Sequence, residues 1–207
     1  MTIQELYSQI YESESTKDPK EFIKAFEENQ ELIFQEKSKL TSENHNILMK
    51  LFTDYSISLV QREAYSKSLN HFKEAINLFE TLEEYKNKDL LDIQYFETLI
   101  LYKGVAEYYL NNFTASKDTF SKLLNKFPDN DTYKNWLVAC KNFKRGKAIN
   151  FIWYLVAAVA LITSFVNEED IGHLYNLTLA IGALAIVTIP IIHLQIKASE
   201  KKIKNGG

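Results

Sequence analysis

The sequence predicts an all-α fold, with a short array of α-hairpins (an α-solenoid) followed by two transmembrane helices. Only 6 Gly and 3 Pro occur among the 207 residues, so residues that break helices are rare. Apolar residues recur at helical spacing over residues 50–146, and two long tracts without charge follow them. These observations favour packed helices over strands in the first part of the chain and membrane spans in the last.

Charge is unevenly distributed along the chain. Residues 1–140 contain 23 acidic and 16 basic side chains, a net charge of 16 − 23 = −7. This acidic balance argues against a nucleic-acid partner, because nucleic-acid binding needs a basic surface. Residues 141–147 then carry four bases and no acid. The only cysteine is Cys140, so the chain forms no intramolecular disulfide.

Two uncharged tracts predict a transmembrane hairpin over residues 147–197. Residues 148–166 and 174–196 are 19 and 23 residues long and contain no charged side chain. Each is long enough to cross a hydrocarbon core of about 30 Å at about 1.5 Å per residue. Bases flank the outer end of each tract, whereas the loop between them has three acids and no Lys or Arg. Positive flanks stay in the cytoplasm.

This pattern predicts a multi-pass integral membrane protein with both termini in the cytoplasm. A bacterial inner membrane fits the orientation best, and an organelle-facing eukaryotic anchor with the same orientation stays open. Residues 198–207 form a basic cytoplasmic tail in this interpretation. Small residues at helical spacing predict the contact between the two spans, since they let helix backbones approach closely in lipid. The predicted contact residues are Ala157, Ala160, Ser164, Thr178, Gly182 and Ala185.

The clearest helical hairpin lies just before the basic stretch. Phe113, Ser116, Phe120 and Leu124 are spaced three, four and four residues apart and share one helix face. Pro128 ends that helix. Upstream residues also follow helical spacing, and the Asn pair at 111–112 predicts a tight turn between two antiparallel helices. Gly104 would be the small residue at the crossing of these helices.

Two weaker copies of this pattern precede it. Phe72, Ala75 and Phe79 repeat the aromatic–small–aromatic order, with Phe72 placed 41 residues before Phe113. A fainter copy over residues 19–34 predicts an N-terminal helical hairpin, a degenerate repeat, in residues 1–45. Residues 46–146 form the main repeat region, with a lone helix over residues 131–146 leading into the first span.

The best copy resembles the tetratricopeptide repeat, a helix–turn–helix unit of about 34 residues. Gly104, Phe113, Ser116, Phe120 and Pro128 stand where that family has its small, aromatic and proline residues. In the second copy Glu63 stands where the glycine is expected. The resemblance implies a groove for a protein or peptide partner, formed by the first helix of each hairpin. Its predicted residues are Thr98, Leu101, Val105, Tyr108 and Tyr109.

Sequence motifs for catalysis or cofactor binding are absent from the chain. We find no glycine-rich phosphate loop and no Cys/His spacing typical of a metal site. The four histidines are isolated in sequence, and we expect His71 at a helix–helix turn on the surface. No catalytic, cofactor-binding or metal-binding residue is predicted. We therefore expect a protein that is not an enzyme and has no cofactor.

Two functions of different kinds remain. The first is a membrane-anchored protein–protein interaction module or scaffold that presents its helical domain at the cytoplasmic face. Its partner would be a protein or peptide, or a second copy of this chain. The second is a membrane effector or channel-like subunit, whose hairpin oligomerises under control of the helical domain. A weaker third is a subunit of a larger membrane assembly.

Overall fold

A computed structural model describes residues 1–164, 190, 191 and 194; within it, the side chains of residues 144–150 and 159–164 are not described. The described residues form helices, turns and short 3₁₀ segments without any strand, which confirms the all-α class. The α-helices are α1 (Ile3–Glu12), α2 (Pro19–Glu28), α3 (Gln30–Ser38), α4 (Ser42–Gln61), α5 (Tyr65–Thr81), α6 (Gln94–Tyr109), α7 (Phe113–Lys126) and α8 (Asp131–Ser164).

The chain divides into two compact units, residues 1–129 and 130–207. The first contains α1 to α7, and the second contains α8.

Side-chain caps begin the N-terminal helices. The Thr2 and Glu5 side chains form a reciprocal capping box at α1, with Thr2 N donating to Glu5 Oε2 at 2.7 Å. Asp18 caps α2 through the amide of Lys20 at 2.7 Å, and Pro19 occupies the first helical position. Each cap satisfies backbone N–H groups that have no acceptor within the helix. The sequence therefore defines these helix starts locally.

The fold divides one predicted repeat copy between two helices and extends one predicted helix. The N-terminal copy over residues 19–34 is divided at Asn29 into α2 and α3, and the Asn29 side chain donates back to the carbonyl of Ala25 at 2.9 Å. In contrast, the predicted end of a helix near Gly146 is wrong. The backbone of α8 is helical without interruption from Asp131 to Ser164. One interior glycine costs a helix only about 1 kcal/mol, which does not stop it.

The hairpins α4–α5 and α6–α7 have the same turn, 48 residues apart. Residues 62–64 connect the first pair and residues 110–112 the second. In both turns the three successive amides donate to carbonyls four, three and five residues back, at 2.8–3.0 Å. Glu63 and Asn111 occupy the middle positions, and both have φ of 62°. The predicted tight turn at residues 111–112 is confirmed.

This geometry corrects the predicted spacing of 41 residues. With the turns superposed, Phe72 of the first hairpin is equivalent to Phe120 of the second, and both side chains are fully buried. The superposition places Ser56, rather than Glu63, at the position of Gly104. The two alignments differ by 48 − 41 = 7 residues, which is two helical turns and therefore returns to the same helix face. The aromatic pattern of α5 alone does not distinguish the two alignments.

Gly104 lies where α6 crosses α7. A Cβ atom at this position would lie 2.9 Å from Cζ of Phe120 and 3.0 Å from Cγ2 of Thr119. The hydroxyl of Ser116 donates to the carbonyl of Gly104 at 2.8 Å. In the same crossing, buried Glu107 forms an ion pair with Lys103 and accepts a hydrogen bond from the Thr119 hydroxyl at 2.8 Å. The predicted small residue at the crossing is thus required by the closeness of the two helices.

Within the part of the chain that the structure describes, no helix is both long and apolar enough to cross a membrane. The spans at 148–166 and 174–196 stay predictions.

Candidate functional site

A groove between α1, α4 and α6 is the candidate functional site. It contains a cavity of about 520 Å³, which lies within the usual range of ligand pockets of roughly 300–1,000 Å³. Three helices contribute its walls, and its lining combines aromatic, polar and aliphatic side chains. The lining residues are Gln4, Tyr7, Ser8, Asn46, Ile47, Met49, Lys50 and Tyr95.

Asp54 joins the three helices of the groove. The Tyr11 hydroxyl of α1 donates to Asp54 Oδ2 at 2.6 Å, and the Tyr95 hydroxyl of α6 donates to Oδ1 at 2.6 Å. Burial raises the pKa of Tyr11 and of Tyr95 far above the usual value, and the charge of Asp54 raises both pKa values further. Both phenols are therefore protonated donors at neutral pH and are not general bases.

Lys50 lies one helical turn before Asp54 and places a cation at the cavity wall. Its Nζ donates to the Tyr7 hydroxyl at 2.9 Å and lies 4.3 Å from the ring centroid of Tyr11. The rings of Tyr7 and Tyr11 themselves pack at a centroid distance of 4.4 Å. An ammonium over aromatic faces is stabilised by the ring quadrupoles. Among the described residues, Lys50 forms no ion pair within 4.0 Å.

A second cavity of about 300 Å³ follows α4 beyond Asp54. Tyr11 and Asp54 line it together with Ile57 and Gln61. The side-chain amide of Gln61 donates to the hydroxyl of Tyr102 on α6 at 3.4 Å. The groove therefore continues along α4, with the Asp54 hydrogen bonds between its two cavities.

The five residues predicted from α6 line neither of these cavities. Thr98, Leu101, Val105 and Tyr108 are half-buried, and the Thr98 hydroxyl donates to Gln94 of its own helix. Tyr109 is 51% exposed, and its ring stacks on Tyr65 of α5, with a centroid distance of 4.7 Å and an interplanar angle of 9°. Their part in binding stays a prediction.

The 48-residue spacing explains why the groove residues were missed. Moved back by 48 positions, Thr98 corresponds to Lys50, Val105 to Ile57 and Tyr109 to Gln61, all of which line the cavities. Three of the five predicted positions are therefore repeated on α4, whereas Leu101 and Tyr108 correspond to Thr53 and Val60, which are buried and line neither cavity. The sequence analysis placed the binding positions on α6 alone, and a 41-residue spacing would carry them to other residues of the second copy. The hairpin turns supply the signal that sets the spacing.

His71 lies in a different environment from the predicted one. It belongs to the interior of α5, and its half-buried ring contacts Tyr55, Phe52, Phe26 and Phe34 at centroid distances of 4.7–6.5 Å. Its Nδ1 is buried and has no hydrogen-bond partner among the residues that the structure describes. The prediction of a surface position at a turn is wrong, because the aromatic residues of α2, α3 and α4 converge on this side of α5.

Half of the predicted membrane contact lies outside the described residues. Thr178, Gly182 and Ala185 are outside the described residues. Ala160 and Ser164 belong to α8 by their backbone, and Ala157 is exposed on the same helix. The pairing of the two spans stays a prediction.

The fold and the groove together define an all-α protein with a polar and aromatic groove between three helices. Across the described residues, no group of three or more His, Cys, Asp or Glu side chains is placed to hold a metal ion. No family model, curated protein or solved structure matches the chain. The likeness to the tetratricopeptide repeat stays a prediction from the sequence.

Proposed function

We propose that this chain is a membrane-anchored protein–protein interaction or scaffold module, with its helical domain in the cytoplasm. The observation that carries the proposal is the groove of α1, α4 and α6, with its cavity of about 520 Å³. Tyr7 and Tyr95 line this cavity, and aromatic side chains contribute large contact areas to interfaces at low entropic cost. The groove suits an extended segment of a protein or peptide partner, or of a second copy of this chain.

The arrangement of the groove supports binding. Tyr11 and Tyr95 direct their hydroxyls to Asp54, and Lys50 rests on the two tyrosine rings of α1. These contacts hold the side chains in place before any partner arrives. A preorganised surface loses less side-chain entropy on binding, which favours affinity.

Exposed aromatic residues support the membrane part of the proposal. On α8, Phe151 is 63% exposed and Tyr154 is 74% exposed, with Trp153 also exposed beside them. Large exposed apolar side chains indicate an apolar neighbour, such as lipid or another helix. In the sequence they fall in the first uncharged tract, directly after the four bases of residues 141–147. Aromatic residues are frequent at the edges of membrane spans.

Affinity capture with a variant whose cavity is partly filled by a larger side chain tests the interaction. Ser8 is exposed and lines the cavity, so Ser8→Trp should fill part of the cavity without disturbing buried contacts. The matched control is Ser66→Trp, at an exposed position of α5. We expect partners captured from mild detergent by the full chain to be lost with Ser8→Trp and kept with Ser66→Trp. Equal recovery with both variants would contradict the groove as the binding surface.

Alkaline carbonate extraction tests the anchor independently. Carbonate releases peripheral proteins, whereas proteins with membrane-spanning helices stay in the pellet. We expect the full chain to stay in the membrane pellet, because two uncharged tracts of 19 and 23 residues bury most of their surface in lipid. Release into the soluble fraction would contradict the anchor and would leave the groove result unaffected.

A further inference from the structure

Lys50 forms no ion pair within 4.0 Å among the described residues, and Asp54 lies one helical turn further along α4. In the part of the chain that the structure describes, Lys50 Nζ has one hydrogen-bond acceptor, the Tyr7 hydroxyl, although an ammonium has three N–H donors. The carboxylate nearest along α4, Asp54, already accepts a tyrosine hydroxyl on each of its oxygens. Lys50 therefore has donor capacity left where it lines the cavity.

The remaining cavity wall is suited to a carboxylate attached to an apolar stem. Gln4, Ser8 and Asn46 are exposed at the wall and provide further N–H and O–H donors. Ile47 and Met49 provide aliphatic surface beside them. Among the described residues that line this cavity none is acidic, so Lys50 is the charged group of the wall, and the Asp54 carboxylate is held by the hydroxyl of Tyr95.

We propose that this cavity binds an Asp or Glu side chain of the protein partner, with the carboxylate on Lys50 and the adjoining aliphatic atoms on Ile47 and Met49. The inference rests on the proposed function and specifies the chemistry that the groove recognises. A charge-assisted hydrogen bond from Lys50, partly screened from water by the tyrosine rings, supplies the selectivity for an acidic residue over its neutral amide. The cavity of about 520 Å³ admits such a side chain together with part of its backbone.

Methionine methyl groups report directly on this cavity. The chain has two methionines; Met49 lines the cavity and Met1 is largely exposed at the start of the chain. The full chain in lipid nanodiscs, labelled with ¹³C-methyl methionine, should show two methyl signals, and Met49→Leu assigns them. The probe is N-acetyl-Leu-Glu-Leu-amide. We expect a saturable shift of the Met49 signal, and a much smaller shift for the same peptide with Gln in place of Glu.

Charge removal at Lys50 completes the test. Lys50→Gln retains a donor for Tyr7 and removes the charge, so we expect the Kd of the Glu peptide to rise roughly tenfold. Lys73→Gln, at an exposed position of α5, is the matched control and should bind like the original chain. Three outcomes would overturn the proposal: no saturable Met49 shift, unchanged affinity in Lys50→Gln, or an equal Met49 shift with the Gln peptide.

The methyl titration and the partner capture test different claims, so either can fail without the other. Loss of capture with Ser8→Trp, together with no Met49 shift, would leave the groove as an interaction surface and remove the acidic side chain as its ligand. A Met49 shift without any captured partner would keep the carboxylate site and contradict the interaction module.

Discussion

At the scale of single residues, His71 shows how burial sets the charge of a side chain. Its ring lies among the aromatic side chains of α2, α3 and α4, between the ion pairs Lys37–Glu74 and Lys67–Glu27. Burial lowers the pKa of His71, and the charges of Lys67 and Lys37 lower it further, whereas Glu74 and Glu27 raise it. His71 is therefore neutral in the fold at neutral pH.

The lowered pKa of His71 predicts a loss of stability in mild acid. The unfolded chain binds a proton at His71 below about pH 6.5, whereas the folded chain binds it only at lower pH. The free energy of unfolding should therefore fall as the pH drops from about 6.5 to the folded pKa. The slope is at most about 1.4 kcal/mol per pH unit, and less because the ring is half-exposed.

Urea unfolding of the full chain at several pH values, followed by circular dichroism, measures this slope. His71→Phe keeps an aromatic ring in the cluster and removes the titrating group. The difference in unfolding free energy between the two proteins should change below pH 6.5 and stay constant above it. A difference that is constant across the whole range would show that His71 does not contribute to the pH dependence.

At the scale of helical elements, the two hairpin turns determine how the helices are paired. Glu63 and Asn111 are the residues with φ of 62°, a left-handed conformation that is strained for most side chains. Asparagine tolerates this conformation better than glutamate. The α4–α5 turn is therefore the more strained of two turns that otherwise have the same hydrogen bonds.

Glycine at position 63 should stabilise the α4–α5 hairpin. Glu63→Gly removes the steric conflict of the left-handed backbone, and we expect a gain of about 0.5–1 kcal/mol in the free energy of unfolding. Asn111→Gly should gain less. Glu63→Ala keeps the conflict and is the control, measured by the same urea unfolding. A gain with Ala equal to that with Gly would show that the backbone conformation is not the cause.

At the scale of the whole molecule, hydrogen bonds between distant residues shape the groove. Tyr11 and Tyr95 are 43 and 41 residues from Asp54 in sequence, and their hydroxyls meet on one carboxylate. Loss of this carboxylate should loosen α1 and α6 from α4 together. The groove depends on the tertiary arrangement for its shape as well as for its chemistry.

Asp54→Asn tests this arrangement. An amide oxygen replaces one acceptor and an NH₂ group faces the second tyrosine hydroxyl, so both charge-assisted bonds are weakened. We expect a loss of about 2–4 kcal/mol in unfolding free energy, from about 1.5–3 kcal/mol for each hydrogen bond to a charged group, reduced by partial exposure. Tyr11→Phe and Tyr95→Phe should each cost less than Asp54→Asn. In a double-mutant cycle, additive effects of Asp54→Asn and Tyr11→Phe would contradict a direct bond.

Local sequence patterns by themselves determined the all-α class, the α6–α7 hairpin and the small residue at its crossing. Helical periodicity, the Asn pair and Gly104 act within a few residues of one another, so they are visible in a single stretch of chain. The position of charges along the chain is equally local, and it is the basis of the predicted membrane anchor.

Only the tertiary structure decided the 48-residue spacing, the aromatic surroundings of His71 and the groove around Lys50. A shift of seven residues keeps a helix face unchanged, so periodicity accepts two spacings, and the matching turns select one. Tyr11, Asp54 and Tyr95 carry no local pattern that links them. They form one site because packing places α1 and α6 on the same side of α4.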